Sequence, residues 1–518
     1  MSITGFWKDK RIRLIFISCF FWGLLAHGMA LFYKVSYHDD IAWPTEFWDA
    51  ETFGLGRWGL ALLGSFVRLF FGSYHYSTPA FHGFATIICI AIILSLIVLK
   101  LRMDNPAILV ALSGVMVGFP AITCAFGFMY VAPYYYFGAM LGVLGAYIYY
   151  TYKDIKSFIV CSLLLAFSTG VYQSNIAINL IVLLLFMFDH VLESDMKWKD
   201  YIVLALQNAL ICFAFMGEYF ALNKLFLAVR HIELSGYKGI SSFGMTSAMD
   251  YPIRVYEAYK RFLRPADFIG TQGVSANMFP WGLKYYHLIM IVITVILFCT
   301  FIRSIAGARK KIQMCLLIVA APLFAYFVYV MVGEPEVHGI MTYGEVFLFF
   351  IPAYLIERGA GSKAVVKYAG KLGLAIMLIM GLLFARFANV CYLKAQIMQT
   401  EAISYYTSLI STIQSAEGYT KDTPVLYIGE NAKYDEGVLG DQRFEPIWIP
   451  PYNGNSIIND YNWKETMKMW CDFSPVYATA EEKEKIDTDV IVKMPTYPDH
   501  GSVKLINGVI VVKFSDEI

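Results

Sequence analysis

The chain has 518 residues, of which 58% are hydrophobic, 17% aromatic and 16% charged, and its formal net charge is +1. Soluble domains carry about 25% charged residues, so this balance is that of a polytopic membrane protein. The near-neutral charge argues against a nucleic-acid partner, and nine scattered cysteines without CxxC or Cys/His spacing argue against a metal centre or a structural disulfide.

Residues 14–33 predict the first span: about twenty residues with no charge after Arg13, enough to cross a ~30 Å hydrocarbon core. Lys8, Lys10, Arg11 and Arg13 precede it and place its start on the cytoplasmic side. No small-residue cleavage site follows, so it reads as a signal anchor. His38-Asp39-Asp40 then emerges on the outer face, at the water–lipid boundary. Adjacent acids there could deprotonate an acceptor whose donor is held in the bilayer. Tyr37, Trp43, Phe47 and Trp48 surround them, and burial beside rings would raise a carboxylate toward base-like values. The structural alternative is a solvated loop, or an N-cap for a helix near Pro44–Trp48.

Gly56-Arg57-Trp58-Gly59 opens an apolar stretch, 57–71, that Arg57 and Arg68 interrupt, which predicts an interfacial helix. Arg57 either snorkels or offers its planar fork of donors to a phosphate. Apolar segments recur at 79–99, 107–121, 131–150, 157–170, 174–190, 201–228, 285–302, 312–332, 341–356 and 372–391, about eleven spans in all. The pieces ending at Pro120 and Gly170 are short enough to be broken or re-entrant. Lys100/Arg102, Lys153/Lys156, Lys197/Lys199, Arg303–Lys311 and Arg358–Lys371 mark alternate junctions, while 121–131, 170–176 and 333–340 carry no Lys or Arg. That positive-inside pattern puts the N-terminus inside, and 34–78, 229–284 and 392–518 outside.

Residues 247–264 predict an amphipathic helix, with Ser247 and Asp250 at its start. Val255, Tyr256, Tyr259, Phe262 and Leu263 share one face; Arg254, Arg261 and Arg264 share another. Such a helix would lie in the membrane plane with its basic face toward head groups, as a lipid anchor or as the holder of a lipid-linked phosphate. His27, Gln173, Asn175, Glu218, Glu345 and Arg386 are polar residues inside or at the outer ends of spans, where ionisable groups are costly and need partners. Glu218 and Arg386 could pair with each other, or Arg386 could line a donor groove. His338, between Glu334 and Glu336, fits a solvated turn, and His75 and His82 carry no assigned role.

The tail reads as a small α+β domain. Residues 393–415 predict an amphipathic helix, Pro424–Ile428 and Asp489–Lys493 buried strands, and Glu481–Ile486 a polar helix. Val503–Ile506 and Val509–Lys513 flank Asn507-Gly508, a hairpin signal. The expected organisation is therefore a membrane domain over 1–391 and an extracytoplasmic domain over 392–518. The chain lacks a P-loop, a GxSxG elbow, an HExxH helix and a Rossmann fingerprint, so it should not consume nucleotide itself.

Tyr37-His-Asp39-Asp40, Gly56-Arg57-Trp58, Phe119-Pro120 with Phe126-Gly-Phe128, Tyr172-Gln173, Met494-Pro-Thr-Tyr-Pro498, Gly501-Ser502 and Gly508–Lys513 occur in that order. In that order the chain resembles the bacterial multi-spanning glucosyltransferases typified by the serotype-converting O-antigen enzymes, of GT-C architecture. The resemblance implies a polyprenyl-phosphate hexose donor, with glucose expected, and an extracytoplasmic surface polysaccharide or lipid-linked glycan as acceptor. It also implies inversion at the anomeric carbon, an active site on the outer face of the cytoplasmic membrane, and work alongside a flippase and a donor-making glycosyltransferase. On this view Asp39 or Asp40 is the general base, and Arg57, Arg254, Arg261, Arg264 and Arg386 are candidates for the donor phosphate. His38, Tyr172, Gln173 and Glu218 are candidates for the substrate lining. A monophosphate leaving group can be neutralised by Arg or Lys, so neither metal nor cofactor is demanded. The rivals are a lipid-linked-sugar flippase, which should show repeat symmetry and small outer loops, and a polysaccharide polymerase or ligase, which uses a diphosphate-linked glycan.

Overall fold

The computed structural model describes residues 3–34, 40, 47–72, 77–236, 249–263, 283–332, 337–359, 364–430 and 463–516. Asp39, His38, Arg264, Ser247, Glu334, Glu336 and His75 lie outside these. The chain divides into two units: Met1–Lys34 with Pro44–Val390, and Val35–Trp43 with Cys391–Ile518.

The first unit is helical. A short α1, Ile3–Lys8, leads into α2, Lys10–Phe32, whose N-cap Asp9 accepts from the Arg11 backbone N–H at 2.8 Å. α3, Ala50–Gly54, and α4, Trp58–Phe71, are separated by a tight turn, and Gly72 closes α4 in the left-handed region at φ 63°. α5, Pro79–Leu101, α6, Pro106–Gly118, and α7, Pro120–Phe126, each begin with proline at the first helical position, where its missing N–H is harmless. Pro120 also forces Phe119 out of the helical region, and α6 and α7 meet at a 42° bend. α8, Ala132–Tyr152, α9, Ile155–Val171, α10, Asn175–Glu193, and α11, Trp198–Arg230, follow with short connections; Asp154 and Ser157 form a capping box at the start of α9. Then come α12, Tyr251–Leu263, α13, Leu283–Ser304, α14, Ala308–Ala325, and α15, Phe327–Val332. A 3₁₀ helix, Gly339–Phe349, runs into α16, Phe350–Arg358. The long α17, Ala364–Gln414, closes the series; its residues from Cys391 onward belong to the second unit.

Among the described helices, seven are long and apolar enough to cross a membrane, or eight if α6 and α7 make one span. The shortfall from about eleven has physical causes. α8 carries seven tyrosines, α9 has 17 residues, and α14 opens on Arg309, Lys310 and Lys311.

The charged junctions gather at one end of this bundle. Asp189, near the end of α10, accepts from Arg102 after α5 at 3.0 Å, from Tyr354 of α16 at 2.7 Å and from Arg358 at 3.4 Å. Arg358 also pairs with Glu193 at 2.8 Å, and Lys153 after α8 meets His190. These contacts lock the C-terminal ends of four helices together, so the N-terminal ends of α8 and α10 must lie about 30 Å away, one helix length.

The second unit holds a three-stranded sheet in the order β1-β3-β2, formed by Val425–Ile428, Val509–Lys513 and Val503–Ile506. β1 runs parallel to β3, and β2 pairs antiparallel with Val503 opposite Val512 and Ile506 opposite Val509. Asn507 and Gly508 take positive φ values of 50° and 83°, the geometry a two-residue hairpin requires. α18, Trp463–Cys471, and α19, Ala480–Glu484, lie between β1 and β2 in the chain. The segment expected as a strand at 489–493 is instead a helix, α20, Thr488–Val492, because Asp487 caps its first turn through the Asp489 N–H at 2.9 Å. The buried Lys513 donates to the carbonyls of Val492 and Met494, at 3.1 and 2.8 Å, tying the Met494-Pro segment to β3.

Candidate functional site

The site is built around the Gly56-Arg57 turn. Gly56 sits at φ 70°, and a Cβ there would meet the Tyr219 hydroxyl at 2.7 Å and Gln173 Nε2 at 3.0 Å. Only glycine suits both the backbone and the space. Gln173 donates to the Leu55 carbonyl at 2.6 Å and to the Tyr219 hydroxyl at 3.2 Å, and Tyr219 in turn donates to the Gly56 carbonyl at 3.2 Å. Trp58 is buried against Gly170, whose added Cβ would fall 2.5 Å from the indole, and Gly59 lets α4 approach the backbone of Gly170 and Val171. The Gly-Arg-Trp-Gly motif is thus a docking surface for the end of α9, and it fixes where Arg57 points.

Arg57 donates to the Tyr135 hydroxyl at 3.1 Å, and its guanidinium carbon lies 5.4 Å from the Tyr172 ring centre and 5.9 Å from that of Tyr135. The two rings stack at 4.0 Å with planes 7° apart. Arg57 immediately precedes α4, whose start has no side-chain cap. Its partly unpaired N–H groups and positive dipole end therefore add to the guanidinium charge.

Behind the stack lies a recess lined by Tyr135, Tyr136, Ala139, Tyr172, Ser174, Asn175, Ile178, Ile340, Met341, Tyr343 and Gly344. It stands at the N-terminal ends of α8 and α10, opposite the Asp189 network. Asn175 Nδ2 donates to the Ser168 carbonyl at 3.0 Å, whereas the buried Ser174 hydroxyl has no hydrogen-bond partner among the described residues. Gly344 allows the 3₁₀ helix to press against α10 and α14: a Cβ there would lie 2.8 Å from Ala177 Cβ and 2.9 Å from the Ala325 carbonyl.

α12 turns its other face to the protein. Arg254, Ala258 and Arg261 lie on the packed side, with Ala258 and Arg261 buried, while Ile253, Tyr256 and Leu263 are exposed. Its arginines therefore do not face head groups as expected. Arg254 donates to the carbonyls of Val330 and Met331, at 3.1 and 2.8 Å, and so caps the end of α15. Tyr259 donates to the Val319 carbonyl at 2.8 Å, and burial pushes its phenol pKa upward. Arg261 lies 5.8 Å over the Tyr329 ring.

Asp40 is buried, and it lies in the second unit. Tyr172 lines the recess, but Gln173 serves the turn and is not in the lining. Glu218 and Arg386 do not pair: Glu218 accepts from Ser162 on α9 at 2.8 Å, and Arg386 is exposed on α17. Tyr135 and Tyr219 went unrecognised in the sequence. The run Tyr134-Tyr135-Tyr136 at the start of an otherwise apolar helix was the available signal for the first.

Neither the curated proteins nor the solved structures contain a match to this chain. The family model for glucosyl transferase GtrII matches residues 28–349, a stretch that includes Arg57, Tyr135, Tyr172, Arg261 and Glu345, and the chain belongs to that family.

Proposed function

We propose that this membrane glucosyltransferase takes glucose from a polyprenyl-phosphate donor and transfers it, with inversion, to a cell-surface glycan on the outer face of the cytoplasmic membrane. The observation that carries the donor assignment is Arg57, held by Tyr135 over Tyr172 at the uncapped start of α4. A monophosphate suits a guanidinium beside a helix N-terminus. Arg57 binds the phosphate in this scheme, and Arg261 on α12 is the second cation. Arg254 is withdrawn from that role because it is spent on the α15 carbonyls.

The base is assigned on the sequence alone. An inverting displacement needs one group to accept the acceptor hydroxyl's proton as oxygen attacks opposite the leaving phosphate. Asp39 and Asp40, adjacent after the first span, supply it. The leaving phosphate departs with the C–O bonding pair, and Arg57 compensates its charge. The architecture in this proposal is GT-C-like, with N-terminus inside and C-terminus outside.

Purified protein given radiolabelled polyprenyl-phosphoglucose and a surface glycan tests this. Label should move to the glycan. Movement of intact donor across a vesicle membrane without bond cleavage would make the chain a flippase, and transfer only from a diphosphate-linked glycan would make it a polymerase or ligase.

A further inference from the structure

Ser174 carries a buried hydroxyl that the fold does not use. It is the N-cap of α10, but its backbone is helical, at φ −63° and ψ −17°, and its side chain accepts no N–H from the first turn. An N-cap serine usually takes an extended backbone, from which its oxygen reaches those N–H groups. Here backbone satisfies the first turn instead. The N–H groups of Asn175, Ile176 and Ala177 donate to the carbonyls of Tyr172, Gln173 and Ser174 at 3.0, 3.0 and 3.2 Å. Ser174 is 5% exposed, and its hydroxyl has no hydrogen-bond partner among the described residues. A hydroxyl buried in this way weakens the fold, so its reason lies outside the fold.

Ser174 lines the recess behind Tyr135 and Tyr172. The recess has a cavity volume of about 10 Å³, room for one water-sized group. No charged residue is in its lining. Asn175 and Tyr343, also in the lining, are committed elsewhere: Asn175 Nδ2 donates to the Ser168 carbonyl, and Tyr343 donates to the Met116 carbonyl at 3.1 Å. With the first N–H groups of α10 already bonded and no cation in the lining, the recess suits a neutral hydroxyl and not a phosphate oxygen. Two of its walls, Tyr135 and Tyr172, are also the rings beside which Arg57 is held.

We propose that this recess is the specificity pocket for one hydroxyl of the transferred sugar, and that Ser174 is the hydrogen-bonding partner that selects it. With the donor phosphate at Arg57, the sugar lies beside the two tyrosines common to both places, and one of its hydroxyl groups enters the recess to bond Ser174. A sugar without that hydroxyl leaves Ser174 unpartnered, and one with a bulkier group at that carbon exceeds the volume. This rests on the assignment of Arg57 to the donor phosphate.

Transfer kinetics of the purified full-length protein with polyprenyl-phosphoglucose and its 2-, 3-, 4- and 6-deoxy analogues test this. In the wild type one analogue should lose about tenfold in kcat/KM relative to glucose through the missing bond to Ser174. Ser174→Ala should lose about tenfold on glucose and handle glucose and that same analogue within about twofold of each other, because one interaction is being removed from either side. Thermal unfolding in detergent should place Ser174→Ala at the wild-type temperature or above, since the variant sheds a hydroxyl that the fold leaves unpaired. Deoxy penalties that are the same in the wild type and in Ser174→Ala would mean that the recess holds a buried water only, and would overturn the proposal. A lower unfolding temperature for Ser174→Ala would give the hydroxyl a structural role and overturn it as well. A wild type inert toward every one of these donors would bring down the phosphate assignment and the proposal with it, whereas an active wild type with no penalty dependent on Ser174 would bring down the proposal alone.

Discussion

Tyr135 and Tyr172 stack face to face with ring centres 4.0 Å apart, although they come from the start of one helix and the residue ending another. Tyr135 also holds Arg57 through its hydroxyl. The stack therefore does two things: it walls the recess and it aims the guanidinium. Tyr135→Phe keeps the ring and removes only the hydrogen bond. It should raise the donor KM about ten- to a hundredfold, the value of one hydrogen bond to a charged group, with folding intact. Tyr172→Ala removes the wall and should lower kcat/KM by more. Equal kinetics for Tyr135→Phe and wild type would mean that Arg57 is positioned by something else.

The turn before Arg57 gives a stability prediction with an internal control. Gly56→Ala puts a Cβ 2.7 Å from the Tyr219 hydroxyl at φ 70°, so backbone strain and a clash coincide. Gly72→Ala faces the same kind of backbone, φ 63°, with nothing within 4 Å. Thermal unfolding in detergent should show Gly56→Ala destabilised by about 2–3 kcal/mol and Gly72→Ala by about 1 kcal/mol. Only the first should also lose transfer activity, because only that turn aims Arg57. Equal losses at the two glycines would show that Tyr219 and Gln173 do not define the turn.

Arg254 separates structure from substrate binding. Its guanidinium satisfies two carbonyls at the end of α15, Val330 and Met331. Arg254→Ala should lower thermal stability by about 1–3 kcal/mol, since the carbonyls of these two buried residues lose their charged donor. Donor KM in the surviving folded fraction should stay within about twofold of wild type. A large rise in donor KM at unchanged stability would return Arg254 to the phosphate site.

Much of the bundle was legible because apolar runs and their punctuation are local signals. The apolar run over 107–121 breaks at Pro120, Asn507-Gly508 makes the hairpin, and the Lys/Arg junctions cluster at one end. What failed depended on contacts distant in sequence. Amphipathy in 251–263 shows that two faces exist but not which one meets protein, and the buried face proved to be the one carrying Arg254 and Arg261. Glu218 and Arg386 looked complementary, yet Ser162 was the nearer partner for Glu218. The run Val490-Ile491-Val492 has strand composition, but a five-residue helix capped by Asp487 outweighs that weak preference. Arg57 stood out as a charge in an apolar run. Tyr135 did not, because one tyrosine among seven in α8 becomes special only when α9 brings Tyr172 against it.

The Asp39–Asp40 pair supplies the test of the chemistry. If one of them takes the acceptor proton, replacing it with Asn keeps the size and removes the base, which separates chemistry from packing. Loss of a general base lowers rates about 10²- to 10⁴-fold. At least one of Asp39→Asn and Asp40→Asn should therefore express normally, bind donor with unchanged affinity and be nearly inactive. Asp39 is the first choice, because it stands closer to the end of the first span. The wild-type rate should fall on acidification with a single ionisation, since a base works only unprotonated, and the inactive variant should lack that limb. Gly72→Ala, remote from Arg57 in sequence and with an open Cβ position, supplies the control for nonspecific loss. Near-wild-type transfer by both Asn variants would reduce the pair to a local cap and send the search for the base to Glu218, whose Oε2 is buried without a hydrogen-bond partner among the described residues, beside the Tyr219 that holds the Arg57 turn.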